Sequence, residues 1–336
     1  MQNKIAIVGE AWGEEEERQR MPFVGVSGHA LNRMLEDAGI RRADCFLTNC
    51  FNLRPPGGNA IENLCGPKSS AIPNRPALKT GKYIRAEFAS ELDRLEQELR
   101  ELRPNLIIAL GGTASWAILG DGRISRIRGA VSPSAFGKTL PTYHPAAVLR
   151  EWSLRPICVL DLRKAARQAE FPEIRRPQRE VWIEPTLDHM ELFYDAHLAS
   201  AEKIAFDIET AGDQITCIGF APSPRIALVV PFVDPRRNGA SYWPSAMEER
   251  AAWKFVARVL ATPARKITQN GLYDVHFLWR RCGITVNNWS EDTMLLHHSL
   301  LIEAQKGLDF LGSIYTDEAS WKLMRSKGKG TIKKDE

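Results

Sequence analysis

The chain has 336 residues, 44% of them apolar, and a formal net charge of only +4. That length carries two ordinary domains with cores of their own. The small charge excludes a tail that binds polyanions by bulk electrostatics, so any nucleic-acid site needs local clusters of Lys and Arg. Six scattered cysteines form no CxxC and no regular framework, which fits a reducing compartment. The N-terminus runs straight into a strand, with no signal-peptide pattern, and no apolar run is long enough to span a bilayer. The expectation is a soluble cytoplasmic protein.

Short strands alternate with amphipathic helices over residues 4–170. Strands are expected at 4–8, 45–48, 106–110 and 139–143, and helices at 28–38, 87–102, 113–119 and 160–169. In 87–102, Phe88, Leu92, Leu95, Leu99 and Leu102 recur at helical spacing with charges between them. This βα alternation predicts an α/β fold: a parallel sheet covered by helices on both faces, in three layers. Residues 54–85 break the pattern with five prolines and with Lys68, Arg75, Lys79 and Lys82. They read as a long basic loop. Residues 171–179, rich in Pro and Arg, read as a linker. A second pattern follows: strand 180–183, helix 187–198, a meander of strands at 203–208, 216–221 and 225–231, helix 246–260, strand 266–268 and helix 273–282. The expected domains are therefore 1–170 and 180–336.

Two loops dominate the first domain. Gly9-Glu10-Ala11-Trp12-Gly13 follows the first strand, with Pro22-Phe23-Val24-Gly25 behind it, and Tyr143-His144-Pro145-Ala146-Ala147 follows another strand. Both fall beyond strand carboxyl ends, where open parallel sheets place ligands. With Glu16-Glu17, Thr48-Asn49, Arg54-Pro55-Pro56, Leu110-Gly111 and Arg128-Gly129, these pieces occur in the order and rough spacing of uracil-DNA glycosylases. The stretch 4–165 resembles the family 4/5 branch. Taken singly, the residues have plainer readings: Asn49 as a turn or helix cap, Phe23 as core, His144 as structural, Glu14–Glu17 as a solvated helix start.

The resemblance implies a pocket that receives a base flipped from the stack. Asn49 would read the Watson–Crick edge of uracil and Phe23 would stack on it. His144 would donate to O2 as negative charge develops there. Glu10, or second Glu14, would stabilise the cationic sugar and orient water. Val148 and Leu149 would wedge into the vacated space, and Arg128 and Arg150 would hold phosphates. Two departures stand out. Trp12 occupies a position where the family usually has proline, crowding the water site. Family 4 members hold an iron–sulfur cluster on four cysteines; here Leu53 and Glu91 stand at two of those positions. Cys45, Cys50, Cys65 and Cys158 lack the spacing, so no cluster is expected.

In the second half, Phe206-Asp207-Ile208-Glu209-Thr210 ends a strand, and acids two apart on a strand share a face. Gln269-Asn270-Gly271-Leu272-Tyr273-Asp274 opens a helix, and Asp292-Thr293 follows. Residues 180–325 resemble the 3′–5′ proofreading exonuclease domain of family A DNA polymerases, an RNase H-like mixed-sheet fold. By that resemblance Asp207, Glu209 and Asp274 would serve Mg2+ or Mn2+. The third motif, Tyr-x-x-x-Asp, is not found, since Tyr315-Thr316-Asp317 has the wrong spacing. Low or absent nuclease activity is therefore expected of this chain alone. The implied setting is a phage-type polymerase, in a bacterium or a phage-infected cell, with a downstream segment or partner chain completing the exonuclease. His297-His298 are adjacent on a helix, face different directions and read as incidental. The function expected is excision of uracil from DNA. The rival is a uracil or single-strand sensor that does not cleave.

Overall fold

The structure, a computed structural model, describes residues 4–237 and 239–318. It divides into two units, residues 1–176 with 309–336, and residues 177–308.

In the first unit the strands are β1 (Ile5–Ala11), β2 (Cys45–Phe51), β3 (Leu106–Leu110), β4 (Ser132–Ser134) and β5 (Gly137–Thr142). Their order is β2-β1-β3-β5-β4, parallel throughout except for the antiparallel edge strand β4. β4 was not expected from the sequence; three residues carrying a central proline give no alternation to read. Successive side chains of β1 go to opposite faces. Ile5 and Ile7 join Leu31, Met34 and Leu35 of α2 (Val26–Asp37) and Val159, Leu162 and Ala165 of α6 (Leu154–Gln168). Ala6 and Val8 join Leu92, Leu95 and Leu99 of α3 (Ala89–Leu102) and Trp116 of α4 (Gly111–Leu119) on the other face. This is the three-layer arrangement expected, with each fully buried Leu or Ile contributing about 1.5–3 kcal/mol. Of two short helices, α1 (Glu14–Gln19) starts directly after the first stretch singled out above and α5 (Pro145–Arg150) starts within the second, at its proline.

The strand order reverses about β1, so the crevice at the carboxyl ends of β1 and β3 is the natural ligand position. The expected loop 54–85 is more built than its composition suggests. Cys65–Gly66 pairs with Tyr83–Ile84, and Ile61, Leu64 and Ile84 are buried. The Trp116 indole donates to the Pro76 carbonyl (3.0 Å) and Arg75 to the Ala117 carbonyl (3.1 Å). Lys138 ties the expected linker to this unit by donating to the carbonyls of Phe171 (2.7 Å) and Glu173 (3.0 Å).

The second unit has a mixed sheet of β6 (Glu180–Trp182), β7 (Lys203–Ala211), β8 (Gln214–Ser223), β9 (Ile226–Pro231), β10 (Arg265–Thr268) and β11 (Trp289–Asp292). The order is β11-β10-β7-β8-β9-β6, with β7, β8 and β9 forming the expected antiparallel meander. The helices are α7 (Leu187–Phe193), α8 (Ala246–Ala261), α9 (Leu272–Cys282) and α10 (Thr293–Leu300). Met190 and Phe193 of α7 and Phe255, Val256 and Val259 of α8 pack with Ile204, Phe206 and Ile218 of the sheet.

The last described helix, α11 (Leu308–Tyr315), departs from the expected domain plan: from Asp309 it belongs to the first unit. Lys164 of α6 reaches the carbonyls of Ser313 and Thr316 at its end, and also donates to the Gly129 carbonyl (2.9 Å). Residues 319–325 of the expected exonuclease stretch lie outside the described residues. Among the described residues no helix is long and apolar enough to cross a membrane.

Candidate functional site

A cavity of about 600 Å3 opens at the carboxyl ends of β1, β2, β3 and β5, and Glu10, Trp12, Phe23, Asn49, Thr113, His144 and Arg150 line it. Leu78 and Lys79 of the 54–85 insertion complete one wall.

Asn49 lies opposite Gly9 in the β1–β2 register and is only 2% exposed. No group among the described residues hydrogen-bonds its amide, so a buried donor and acceptor await a ligand. Gly9 makes room for it: a Cβ there would fall 2.2 Å from Asn49 Oδ1 and 2.5 Å from Phe23 Cζ. The amide and the ring therefore converge above this one glycine. Phe23 is held with φ +57°, in the left-handed region. The buried Glu16 carboxylate braces that turn, accepting from the backbone N–H of Val24 (3.1 Å), Gly25 (2.9 Å) and Gly13 (3.2 Å).

A second brace holds β2 itself. Arg94 of α3 donates to the Asn49 carbonyl (2.9 Å), the Thr48 hydroxyl (3.1 Å) and Glu98 (2.8 Å). Glu91 accepts from the Asn52 N–H (2.8 Å) and pairs with Arg94. Sequence reasoning missed both braces. The glutamate three residues after Gly13, placed to accept from the N-cap N–H at a helix start, was the available signal for one. The other, an arginine flanked by Leu92 and Leu95 on a helix that covers the sheet, reads as an ordinary charged face.

His144 is the N-cap of α5, and its Nδ1 accepts from the Ala146 N–H (3.2 Å). Burial first, then the positive charge of Arg150, push its pKa down to about 4. At neutral pH the ring is uncharged with Nδ1 occupied as acceptor, so the proton sits on Nε2, ready to donate. Its ring centroid is 6.4 Å from that of Phe23, with planes 32° apart. Gly111, at φ +84°, permits this approach, since a Cβ there would lie 2.9 Å from His144 Cβ. Glu10 accepts a hydrogen bond from the Thr113 hydroxyl. Burial raises its pKa, and the Thr113 bond only partly offsets that. Trp12 donates its backbone N–H to the Leu53 carbonyl (3.1 Å), a bond that proline at this position lacks the hydrogen to make, while its buried indole Nε1 finds no partner among the described residues.

Other expected site residues fall elsewhere. Glu14 is exposed on α1, 3.5 Å from Arg54, and does not line the cavity. Val148 is 1% exposed, packed in the core, and cannot wedge into DNA from there; Leu149 beside it is exposed. Arg128 is 3% exposed, paired with Asp161 (Nε to Oδ2 2.9 Å) and bonded to Ser313 (2.8 Å), so it has no free face for a phosphate. Arg150 is exposed at the cavity rim.

The family model described as the uracil DNA glycosylase superfamily matches residues 1–170. The chain belongs to the uracil-DNA glycosylase superfamily. It is 32% identical over 171 residues to the type-4 uracil-DNA glycosylase of Thermotoga maritima, covering 49% of this chain and 77% of that one. It is 34% identical over 170 residues to that of Archaeoglobus fulgidus, covering 48% and 74%. Among solved structures, the Aedes aegypti Nibbler EXO domain is similar with TM-score 0.32 and 13% identity, over 48% of this chain and 81% of that chain. Escherichia coli RNase D is similar with TM-score 0.30 and 14% identity, over 42% of this chain and 34% of that chain, so this chain spans about a third of that relative.

The iron–sulfur cluster implied by the family-4 resemblance does not fit the thiols of this uracil-DNA glycosylase superfamily member. Cys45 and Cys158 belong to the core on one face of the sheet, and Cys50 and Cys65 pack with the core on the other. Each thiol donates to a separate backbone carbonyl, of Arg41, Tyr143, Thr113 and Ile61 respectively. Burial pushes Cys45 up to about 11 and Cys158 up to about 12.

In the second unit Asp207 and Glu209 are exposed on one face of β7, and Asp274 Oδ1 accepts from the Ile208 N–H between them (3.1 Å). Three carboxylates are thus neighbours. Asp274 is turned into a backbone bond, however, and among the described residues no group of three His, Cys, Asp or Glu could hold a metal ion. Asp292 accepts from the N–H of Asn270 (3.0 Å), Gly271 (2.8 Å) and Met294 (2.9 Å), pinning the turn that starts α9 and capping α10. Tyr315 ends α11 in the first unit, apart from the other exonuclease residues by chain division.

Proposed function

We propose that the first unit hydrolyses uracil from DNA, and the observation that carries this is the buried, unpartnered amide of Asn49 beside the Phe23 ring. Asn49 accepts from uracil N3–H and donates to O4, while cytosine offers the reverse pattern and leaves buried groups unpaired. Phe23 stacks on the base. Neutral His144 donates from Nε2 to O2 as the C1′–N1 bond breaks and negative charge moves onto the base. Ionised Glu10 stabilises the cationic sugar and orients the water whose oxygen bonds to C1′, giving free uracil and an abasic site. Leu149 fills the vacated space and Arg150 holds phosphate. No metal or cluster takes part.

The second unit we read as a 3′–5′ exonuclease-like domain of low or absent activity in this chain, its DNA-polymerase partner being a downstream segment or another chain. The side-by-side placement of Asp207, Glu209 and Asp274 supports the likeness, and the low activity rests on the Tyr-x-x-x-Asp motif that the sequence does not show. The setting we infer is the cytoplasm of a bacterium or of a phage-infected cell.

The test is excision from a labelled single-stranded oligonucleotide with one uracil, in EDTA, by wild type, Asn49→Ala and His144→Ala. Alkali-labile product from wild type, lost in both variants, is expected. Wild type that binds uracil selectively yet releases none would replace catalysis with sensing, and would point to Trp12, which lines the cavity.

A further inference from the structure

Beside the cavity lies a smaller one of about 140 Å3, lined by Val26, His29, Arg33, Met34, Leu149 and Trp152 among others. Its floor is core: Met34 is 2% exposed. Its rim is open and apolar, with Val26 72%, Leu149 45% and Trp152 64% exposed. An exposed indole is costly to hold still, yet this one is held. The Arg155 guanidinium lies over its ring, 5.3 Å from the centroid, and Arg155 is itself paired with Asp37. One face of Trp152 is therefore backed by a fixed cation. Helix α5 joins this groove to the catalytic cavity, with His144 at its N-cap and Leu149 in its last turn. Cations surround it: Arg33 makes no ion pair among the described residues, and Arg150 stands at the rim of the neighbouring cavity.

We propose that Trp152 is a stacking platform for a nucleobase flanking the flipped uracil, and that it directs the enzyme to single-stranded DNA. The inference rests on the glycosylase reading and adds the strand form of the substrate. A flat, backed aromatic face at the edge of a basic groove suits a base with its phosphate. In a duplex the flanking base is held by its pair and its outer neighbour, and the face freed by flipping meets Leu149 in the vacated space, whereas in a single strand the base swings free to reach Trp152. Stacking of one base on an aromatic side chain is worth roughly 5- to 150-fold in affinity.

The test compares the full chain with Trp152→Ala and Trp152→Phe. Excision kinetics are measured on single-stranded and duplex uracil oligonucleotides, and anisotropy on a single strand with thymine in place of uracil. Trp152→Ala is expected to raise KM on the single strand about tenfold with kcat unchanged, to weaken thymine-strand binding similarly, and to leave duplex KM within twofold. Trp152→Phe recovers most of the loss. An abasic linker at the neighbour of uracil, placed on each side in turn, weakens wild type to the level of Trp152→Ala on one side only and leaves the variant unchanged. Equal loss on duplex, or no loss on the single strand, overturns the proposal. So does unchanged DNA affinity with an altered oligomeric state, which would assign the groove to protein contact. Wild type that excises no uracil overturns the glycosylase reading instead, and the anisotropy arm then judges Trp152 separately.

Discussion

Gly9→Ala isolates the geometry of base reading from the stability of the fold. Gly9 does not need the left-handed region, so its backbone accepts alanine. The new methyl would stand 2.2 Å from Asn49 Oδ1 and 2.5 Å from Phe23 Cζ, where ordinary contact begins near 3.4 Å. The amide and the ring must each withdraw by about 1 Å, and a displacement of that size costs about 100-fold in rate when it misplaces a reacting group. With two base contacts affected, kcat/KM on a uracil oligonucleotide should fall ~10²–10³-fold, or about 3–4 kcal/mol. Alanine also reduces unfolded-chain entropy, a gain of up to about 1 kcal/mol that opposes the strain. The melting temperature should therefore move by only a few degrees. Single-turnover excision together with thermal unfolding decides the matter. In addition, Gly9→Ala/Asn49→Ala should be slower than Asn49→Ala alone by less than the full Gly9→Ala loss, because the Asn49 contact is already gone and only the displacement of Phe23 remains. Wild-type kcat/KM in Gly9→Ala, or additive losses in the double variant, would refute the convergence of Asn49 and Phe23 on Gly9.

The pH profile follows from two opposite shifts. His144, depressed to about 4, stays a neutral donor throughout pH 5–9 and gives no inflection near 6.5, whereas Glu10, raised by burial, sets the acidic limb. Excision should rise with pH through the single Glu10 titration and then stay level, and a second inflection near 6.5 in addition to that one would contradict this. Folding carries the matching signature. The lowered His144 pKa stabilises the fold above pH 6.5 and that stability is lost as pH falls through 4, so His144→Gln should resist acid unfolding better by up to about 3 kcal/mol. Arg94→Ala should cost about 2–3 kcal/mol in stability, because Glu91 and Glu98 lose their shared cation and the Asn49 carbonyl its donor. Arg94→Lys should restore less than half in chemical unfolding, lacking the fork that reaches Glu91, Glu98, the Thr48 hydroxyl and the Asn49 carbonyl together. Purified chain should hold less than a tenth of an iron per molecule by elemental analysis, with excision unchanged after anaerobic iron and sulfide reconstitution.

The sheet and its two helical layers were legible because they follow from period alone: alternation in β1 and the Leu92–Leu95–Leu99 stripe of α3 left little choice. The motifs at the carboxyl ends of β1 and β5 were legible, and they do carry Glu10, which lies within β1 rather than in a loop after it, and His144 into one cavity. The sequence failed where a side chain's role depends on what lies across the sheet. Arg128 looks like a phosphate ligand until Asp161 and Ser313 are seen around it. Val148 and Leu149 are equivalent as letters, and only the helical phase of α5 turns one inward and the other out. Proline and lysine made 54–85 read as an open loop, whereas the sparse apolar residues among them, Ile61, Leu64 and Ile84, fasten it to the core. In the second unit the acids could be named in order, but their spacing said nothing of Asp274 being drawn to the Ile208 N–H.

The return of α11 to the first unit sets an order of events during synthesis. Arg128 and Lys164 are buried early in the chain's course, yet the groups that complete their bonding, Ser313 and Thr316, come after the whole second unit. A ribosome adding about 5–20 residues each second needs roughly 7–25 seconds to cross the intervening 130 or so residues. Through that interval the glycosylase unit waits with two cations only partly bonded. It is finished only when the chain comes back to it, and a release of the chain near residue 176 would leave it permanently in the waiting state.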